Sequence, residues 1–383
     1  MSDARTIWVM HNLGSGWGSD VLRGLARFSE HREPWEFRIA GWGETPLGLP
    51  SNGDEVDGLV IALHDEQEEL SLLERGVPCV NVSSTRQVRW IPSVLVNDEA
   101  VGKMVAEYLM HQGLREFAYC GNERWHFSSP RGKSFAERLK QAGYSCDIYE
   151  PPRQLDGGVT DKELEELSGW LAKLSHPAGV MACNDIRARD IARAATHAKL
   201  RVPDDVAIVG VDNDDLVCSV TVPPLSSVDT GAQRLGYEAA RLLERLMRGE
   251  RPPAESIRIR PQEVVVRRSS DVVAVNDQVV AQAIRYIKRE VSKGLTVGAV
   301  VSEMGVSRRL LERRFRKVLD RTVHDEIRRA QIDIARRLLV ETDMPLSEVT
   351  QRCGFRYFSH FSQVCKEELA MPPGEYRQHF RLT

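Results

Sequence analysis

This 383-residue sequence has no apolar run near the roughly 18 residues that a membrane-spanning helix needs, which excludes one. Its first stretch, MSDARTIWVMHNLGSG, has no basic leader, apolar h-region or small-residue cleavage site, so a cytoplasmic protein is expected. Cysteine is sparse and scattered. The seven residues are an odd number and form no Cys-x-x-Cys pair, which argues against a disulfide framework and against a paired-cysteine zinc site. His-Glu-x-x-His and a nucleophile elbow are also missing. No cofactor, no metal and no enzymatic activity are expected.

Charge is present in quantity but divided unevenly. The formal net charge is -3, yet residues 272–383 hold 20 Lys/Arg against 14 Asp/Glu, a net of +6. The preceding residues hold 32 against 41, a net of -9. An acidic body with a basic C-terminal piece is compatible with a polyanion partner for that piece, and equally with an uneven surface of no consequence.

Residues 1–270 alternate in a fixed rhythm. TIWVMH precedes the helically spaced DVLRGLARFSE, and DGLVIAL precedes EQEELSLLERG. SVLVN leads into DEAVGKMVAEYLMHQG, EFAYCG into KSFAERLKQAG, and GVMACN into DIRARDIARAATHA. Apolar strands alternating with amphipathic helices predict parallel sheets covered on both faces, and about 270 residues suffice for two. Ligands of such folds bind at the carboxyl ends of strands.

Two phosphate-binding motifs fail on inspection. GSGWGS has Gly14, Gly16 and Gly18, but Ser19 stands where a dinucleotide fingerprint needs its third glycine, and Trp17 is bulky where backbone should approach a pyrophosphate. The GKS at Gly132–Ser134 has Phe127 where a phosphate loop needs its first glycine.

VPDDVAIVGVDNDD, the preceding GVMACNDIRARDIARAA and the later PLSSVDTGAQRLGYEAARLL resemble the effector domain of LacI-type repressors and periplasmic sugar-binding proteins, over roughly residues 5–268. The resemblance implies two lobes closing over a small sugar. It places Asn184, Asp185, Asp212, Asn213 and Arg131 at the cleft, with Trp17 and Asp20 on its other wall and Trp125 and His126 above it. The residue types suit a sugar: carboxylates and amides accept from hydroxyls, a guanidinium donates in a fixed fork, and an indole offers an apolar face. Each has a plain structural alternative. Asp185 stands where an N-cap would, Asp212 could order its loop, Arg131 could be a surface charge and Trp17 packing.

After a polar linker at residues 269–276, residues 277–383 predict seven helices with an internal repeat. A short helix ends at Gly305, a tight turn follows and a longer helix begins; the pattern returns at Gly354. Glycine reaches the left-handed conformation that this turn demands. QRCGF and FSQVCKEELAMPPGEYR resemble the signature of AraC-family activators, with Cys365 standing where that family has phenylalanine. Phe361, Val364 and Cys365 should face a core, and Cys353, His360 and Cys365 lack a zinc spacing. The resemblance puts Arg309, Glu312 and Arg313 at base edges, Arg308 and Arg316 at phosphates, and Phe358, Ser359 and Gln363 at the second reading face.

The expectation is an α/β two-lobed sensor (1–268) followed by an all-α DNA-binding domain (277–383) with two helix-turn-helix units. Its partners would be a double-stranded DNA operator, a small sugar of the pentose class, RNA polymerase and a second copy of itself. An enzyme with a degenerate nucleotide site would show turnover and no salt-sensitive DNA binding. A stand-alone sugar carrier would have no use for two helix-turn-helix units.

Overall fold

The computed structural model describes residues 4–10, 15–30, 35–39, 56–63, 66–86, 88–150, 160–272 and 277–380. The chain divides into two compact units between Val272 and Val273.

The first unit opens with β1 (Arg5–Met10), α1 (Gly16–Ser29), β2 (Trp35–Ile39), β3 (Gly58–Ile61), α2 (Glu66–Arg75) and β4 (Cys79–Asn81). The four strands pair in parallel in the order β2-β1-β3-β4. The chain then leaves through β5 (Val94–Val96) for a second lobe. There α3 (Asp98–His111), β6 (Glu116–Cys120), α4 (Ser128–Gln141), β7 (Asp147–Tyr149), α5 (Asp161–Lys173), β8 (Ala178–Ala182), α6 (Asp185–His197), β9 (Val206–Val211), α7 (Asp215–Val220) and β10 (Ser226–Asp229) follow in turn. It returns through α8 (Ala232–Met247) and β11 (Ile257–Ile259), then crosses back as β12 (Glu263–Val265). The second sheet has the order β12-β10-β9-β8-β6-β7, parallel except for β12. Three chain crossings, with the β5–β11 pair beside them, join the lobes. The two largely parallel sheets are what the alternation of strands and helices predicts, and the two lobes are what the family resemblance implies.

Close helix contacts fix the layers. In the first lobe α1 and α8 meet at two glycines: a Cβ on Gly24 would lie 2.0 Å from the Gln233 carbonyl oxygen, and one on Gly236 would lie 2.0 Å from that of Val21. In the second lobe Gly102 on α3 lies against α4, where a Cβ would meet the Arg131 carbonyl oxygen at 2.3 Å. The inner strands β3, β8 and β9 are buried throughout, as strands covered on both faces must be, while the edge strands β2, β7 and β12 are partly exposed.

The body ends later than the sequence predicts. Ser269 and Ser270, assigned there to the linker, are fully buried in a short 3-10 turn. The Ser269 hydroxyl donates to the Ile208 carbonyl at 2.7 Å and accepts the Ser226 N–H at 2.8 Å. The Ser269 hydroxyl thus bridges β9 and β10, while the Ser270 hydroxyl meets that of Tyr108 on α3 at 2.8 Å, which is why a polar pair sits inside the body. Residues 273–276 of the predicted linker lie outside the described residues.

The second unit is helical: α9 (Gln278–Glu290), α10 (Val297–Met304), α11 (Arg308–Leu319), α12 (Val323–Glu341), α13 (Leu346–Arg352), α14 (Phe358–Leu369) and α15 (Pro373–Phe380). Two apolar cores lie along it. Val280, Ile284, Val300, Leu311, Phe315 and Ile327 form one. Ile332, Ala335, Leu339, Phe361, Val364 and Cys365 form the other. The long α12 supplies residues to both, so one helix holds the two helix-turn-helix units at a fixed spacing. Gly305 (φ 63°) and Gly354 (φ 77°) make the two turns in the left-handed region.

Candidate functional sites: a ligand cleft and two reading helices

Arg131, in the first turn of α4, is the fixed point of the cleft. It is 3% exposed, and its guanidinium is held on several sides. Nε donates to Asp98 Oδ1 at 2.7 Å, and Nη1 donates to the Cys183 carbonyl at 2.6 Å. Nη2 lies 3.7 Å from Asp212 Oδ1, and the guanidinium carbon sits 4.4 Å from the centre of the Phe127 ring. A buried charge tolerates this only with full pairing. Burial pushes the Asp212 carboxyl up from its ordinary value, against the pull of the Arg131 guanidinium.

Asp212 and Asn213 follow β9 with φ of 104° and 52°, a left-handed pair without glycine. Strained backbone of this kind persists where neighbours over-determine it. Here they do. Asn213 N–H donates to Ser227 Oγ at 3.0 Å, and its Oδ1 accepts from Arg267 Nη2 at 2.9 Å.

Asp185 braces the same loop. Its Oδ2 accepts the Asp214 N–H at 2.8 Å and its Oδ1 accepts the Ser227 hydroxyl at 2.5 Å. Burial, then the neighbouring Asp212 charge, push its carboxyl up to about 8. Both oxygens are thus engaged inside the lobe. Asn184 is the N-cap of α6, its Oδ1 accepting the Arg187 N–H at 2.9 Å. It follows Cys183, whose carbonyl holds Arg131. Arg131, Asn184 and Asp212 are therefore gathered at the carboxyl ends of β8 and β9.

The opposite wall is less uniform. Trp17 lies half-buried in the first turn of α1. Asp20, one turn on, accepts from Arg23 Nη1 at 2.7 Å and from Gln233 Nε2 at 2.9 Å, so it ties α1 to α8. Trp125 stacks on Phe127 with ring centres 5.5 Å apart. His126 N–H donates across the cleft to the Thr85 carbonyl at 3.0 Å. The 122–127 segment therefore joins the second lobe to the strand-end loop of the first.

Asp98 is the main cleft residue that sequence reasoning passes over. Its only signal is an acid opening the helix after SVLVN, a pattern that fits an ordinary first-turn carboxylate equally well. Phe127 is likewise visible only in three dimensions, where it underlies Arg131.

In the second unit the candidate reading faces are separated from the core by helical period. Leu311 and Phe315 are buried, while Arg308, Arg309, Arg313 and Arg316 are exposed on α11. Glu312 differs from the sequence expectation. Its Oε2 accepts the Val323 N–H at 3.3 Å, so it caps the start of α12 and turns away from the exposed arginines. On α14, Phe361, Val364 and Cys365 are buried, and Phe358 is 46% exposed. Ser359 is exposed, and Gln363 is exposed with its Nε2 donating to Glu367 Oε1 at 3.0 Å. Cys353 and Cys365 belong to the apolar core. Among the described residues no cluster of His, Cys, Asp or Glu could hold a metal ion, and no helix is long and apolar enough to cross a membrane.

Known proteins align with both units. Residues 106–270 match the periplasmic binding protein-like domain family, and residues 300–379 match the helix-turn-helix domain family. The xylose operon regulatory protein of Haemophilus influenzae is 32% identical over 330 residues, covering 84% of this chain and 85% of that protein. Its counterpart in Escherichia coli K12 is 30% identical over 330 residues, covering 84% and 83%. The structure of a xylose-binding transcription activator covers 100% of both chains with a TM-score of 0.61 and 26% identity. With a relative this similar along most of both chains, and with both domain families present, the chain belongs to the family of xylose operon regulatory proteins, sugar-responsive transcription regulators that carry a helix-turn-helix domain.

Proposed function

We propose that the effector of this regulator is D-xylose and that its binding between the lobes promotes transcription from an operator read by α11 and α14. The observation that carries the sugar reading is the constellation of Arg131, Asp212 and Asn184. A guanidinium locked in place by Asp98 and the Cys183 carbonyl needs no reorganisation to donate to hydroxyls, and the Asp212 carboxylate accepts from them. Relatives of matching length are named for xylose, which selects the pentose among sugars. The exposed arginines of α11 and the Phe358–Gln363 face of α14 meet adjacent segments of the major groove. A cytoplasmic homodimer would present four reading helices to paired half-sites, and RNA polymerase would be its partner in activation. Residues 273–276 would join sensor to reader, and its work is binding, not turnover.

Isothermal calorimetry of the full chain with D-xylose, L-arabinose and D-glucose tests the sugar. Binding of D-xylose alone at micromolar concentration is expected; heat from D-glucose and none from D-xylose would overturn the choice. Anisotropy with DNA from upstream of a xylose operon, with and without the sugar, tests the coupling. An operator affinity that D-xylose leaves unchanged would refute it.

A further inference from the structure

Helix α1 starts at Gly16, and its first N–H has no acceptor within its own helix. That N–H donates to Asp214 Oδ2, 198 residues away and in the other lobe, at 2.7 Å. The other oxygen of the same carboxylate accepts the Val217 N–H at 3.1 Å, which caps α7. One carboxylate therefore ends two helices in two lobes. It is itself anchored, because the Asp214 N–H is held by Asp185 Oδ2 at 2.8 Å. The approach is close. A Cβ at position 16 would lie 3.0 Å from Asp214 Cγ and 3.1 Å from its Cα.

We propose that Asp214 is a positioning residue of the sensor, an inter-lobe latch that clasps the start of α1 and favours the closed arrangement without touching the sugar. The attraction of a carboxylate for a helix N-terminus falls off within a turn, so it acts only when the lobes are together. A contact made in one of two arrangements shifts the equilibrium between them, as a ligand does. The latch also sits between the two walls: Trp17 follows Gly16, and Asp212 lies two residues before Asp214. Its closure brings both walls to the same place. Asp185 acts through Asp214 by fixing its backbone. The inference rests on the proposed sugar-driven closure only for its link to D-xylose.

Two substitutions break the latch from opposite sides. Gly16→Ala sets a Cβ 3.0 Å from Asp214 Cγ and so presses the carboxylate away from the start of α1. Asp214→Asn leaves an oxygen to cap α7 while removing the charge. Spin labels on Glu74→Cys in the first lobe and Lys140→Cys in the second, in a Cys146→Ser background, report the inter-lobe distance in the full chain. The other six cysteines are buried. Without sugar, both variants should move the label distances toward longer values, and the double variant should move them no further than either single one. D-xylose should leave each variant about tenfold faster than it leaves the parent, with the association rate changed less than about twofold. Unchanged distances in either variant, or independent effects that multiply in the double variant, would overturn the latch. If the parent binds no D-xylose, the sugar assignment fails while the label distances still judge the latch.

Discussion

Asp98 holds Arg131 in place: carboxylate and guanidinium meet at 2.7 Å, with side-chain exposures of 4% and 3%. Asp98 opens α3 at one crossing between the lobes, so the proposed sugar donor is fixed to a crossing segment. Removing one partner of a buried pair strands the other. Asp98→Ala should therefore cost the sensor about 3–5 kcal/mol of stability in urea melts. Asp98→Asn, which keeps an acceptor, should cost less. A loss below about 1 kcal/mol for the alanine variant would mean that Asp212 takes over as partner, and that Asp98 does not position the guanidinium.

The stability of the sensor should fall as pH rises from about 4 to about 8. Asp185 is the reason: its carboxyl is pushed up to about 8 in the folded protein, whereas an unfolded aspartate titrates near 3.9. Between those values the folded form holds a proton that the unfolded form has released, so rising pH favours unfolding until Asp185 itself ionises. Asp212, which faces it, shifts in the same direction; Cys218 and Asp214 are its other titratable neighbours. Asp185→Asn should flatten the slope of melting temperature against pH in this window without abolishing it. An unaltered slope would show that Asp185 is ionised in the folded state.

Much of this was legible along the chain, and what was not has a common cause. Strand and helix alternation is a period that local sequence carries, as are the Gly305 and Gly354 turns and the inward Phe361 and Val364. Arg131 and Asp212 point to the cleft only through the resemblance to LacI-type effector domains; of the two, Asp212 alone directly follows a strand, β9. Asp98, Asp214 and Phe127 were passed over because their roles depend on partners 33 and 198 residues away, and on the ring under Arg131. Glu312 shares a helical face with the exposed arginines, but helical spacing does not give the direction in which a long side chain bends. Its nearest unpaired donor is the first N–H of α12. Ser269 and Ser270 read as linker because hydroxyls look the same in a loop and under a sheet.

The two proposed reading helices, α11 and α14, end alike. Asp320 (φ 53°) and Ala370 (φ 60°) are their left-handed caps, one in each half of the repeat. That conformation costs a residue with a Cβ roughly 1–2 kcal/mol, and aspartate less than alanine. Ala370→Gly should therefore stabilise the chain by about 1 kcal/mol once glycine's greater freedom in the unfolded state is set against it. Asp320→Gly should gain less. Gly354→Ala should destabilise strongly, because its φ is 77° and a Cβ would lie 2.2 Å from the Val291 carbonyl oxygen. Denaturant melts of the three variants check the order; equal effects at 320 and 370 would refute the argument from the cap.

The exposed arginines of α11 should separate into two kinds. Arg313 lies one turn beyond Arg309 on the exposed side, where a recognition helix meets base edges. Its replacement by alanine should cost about 1–3 kcal/mol and relax the preference at one base pair, as loss of a bidentate guanine contact does. Arg316 lies near the end of the helix. Arg316→Ala should weaken all sequences alike and lower the slope of log affinity against log salt by about one unit, since a phosphate contact carries no sequence information. Glu312→Gln supplies the internal comparison. Because its carboxylate caps α12, it should lower thermal stability and leave base preference intact. Titrations on randomised operators at several salt concentrations distinguish these outcomes. If Arg313→Ala keeps the full base preference while Glu312→Gln alters it, then Glu312 swings out to the DNA on binding, and the reading face of α11 is rotated from the one proposed.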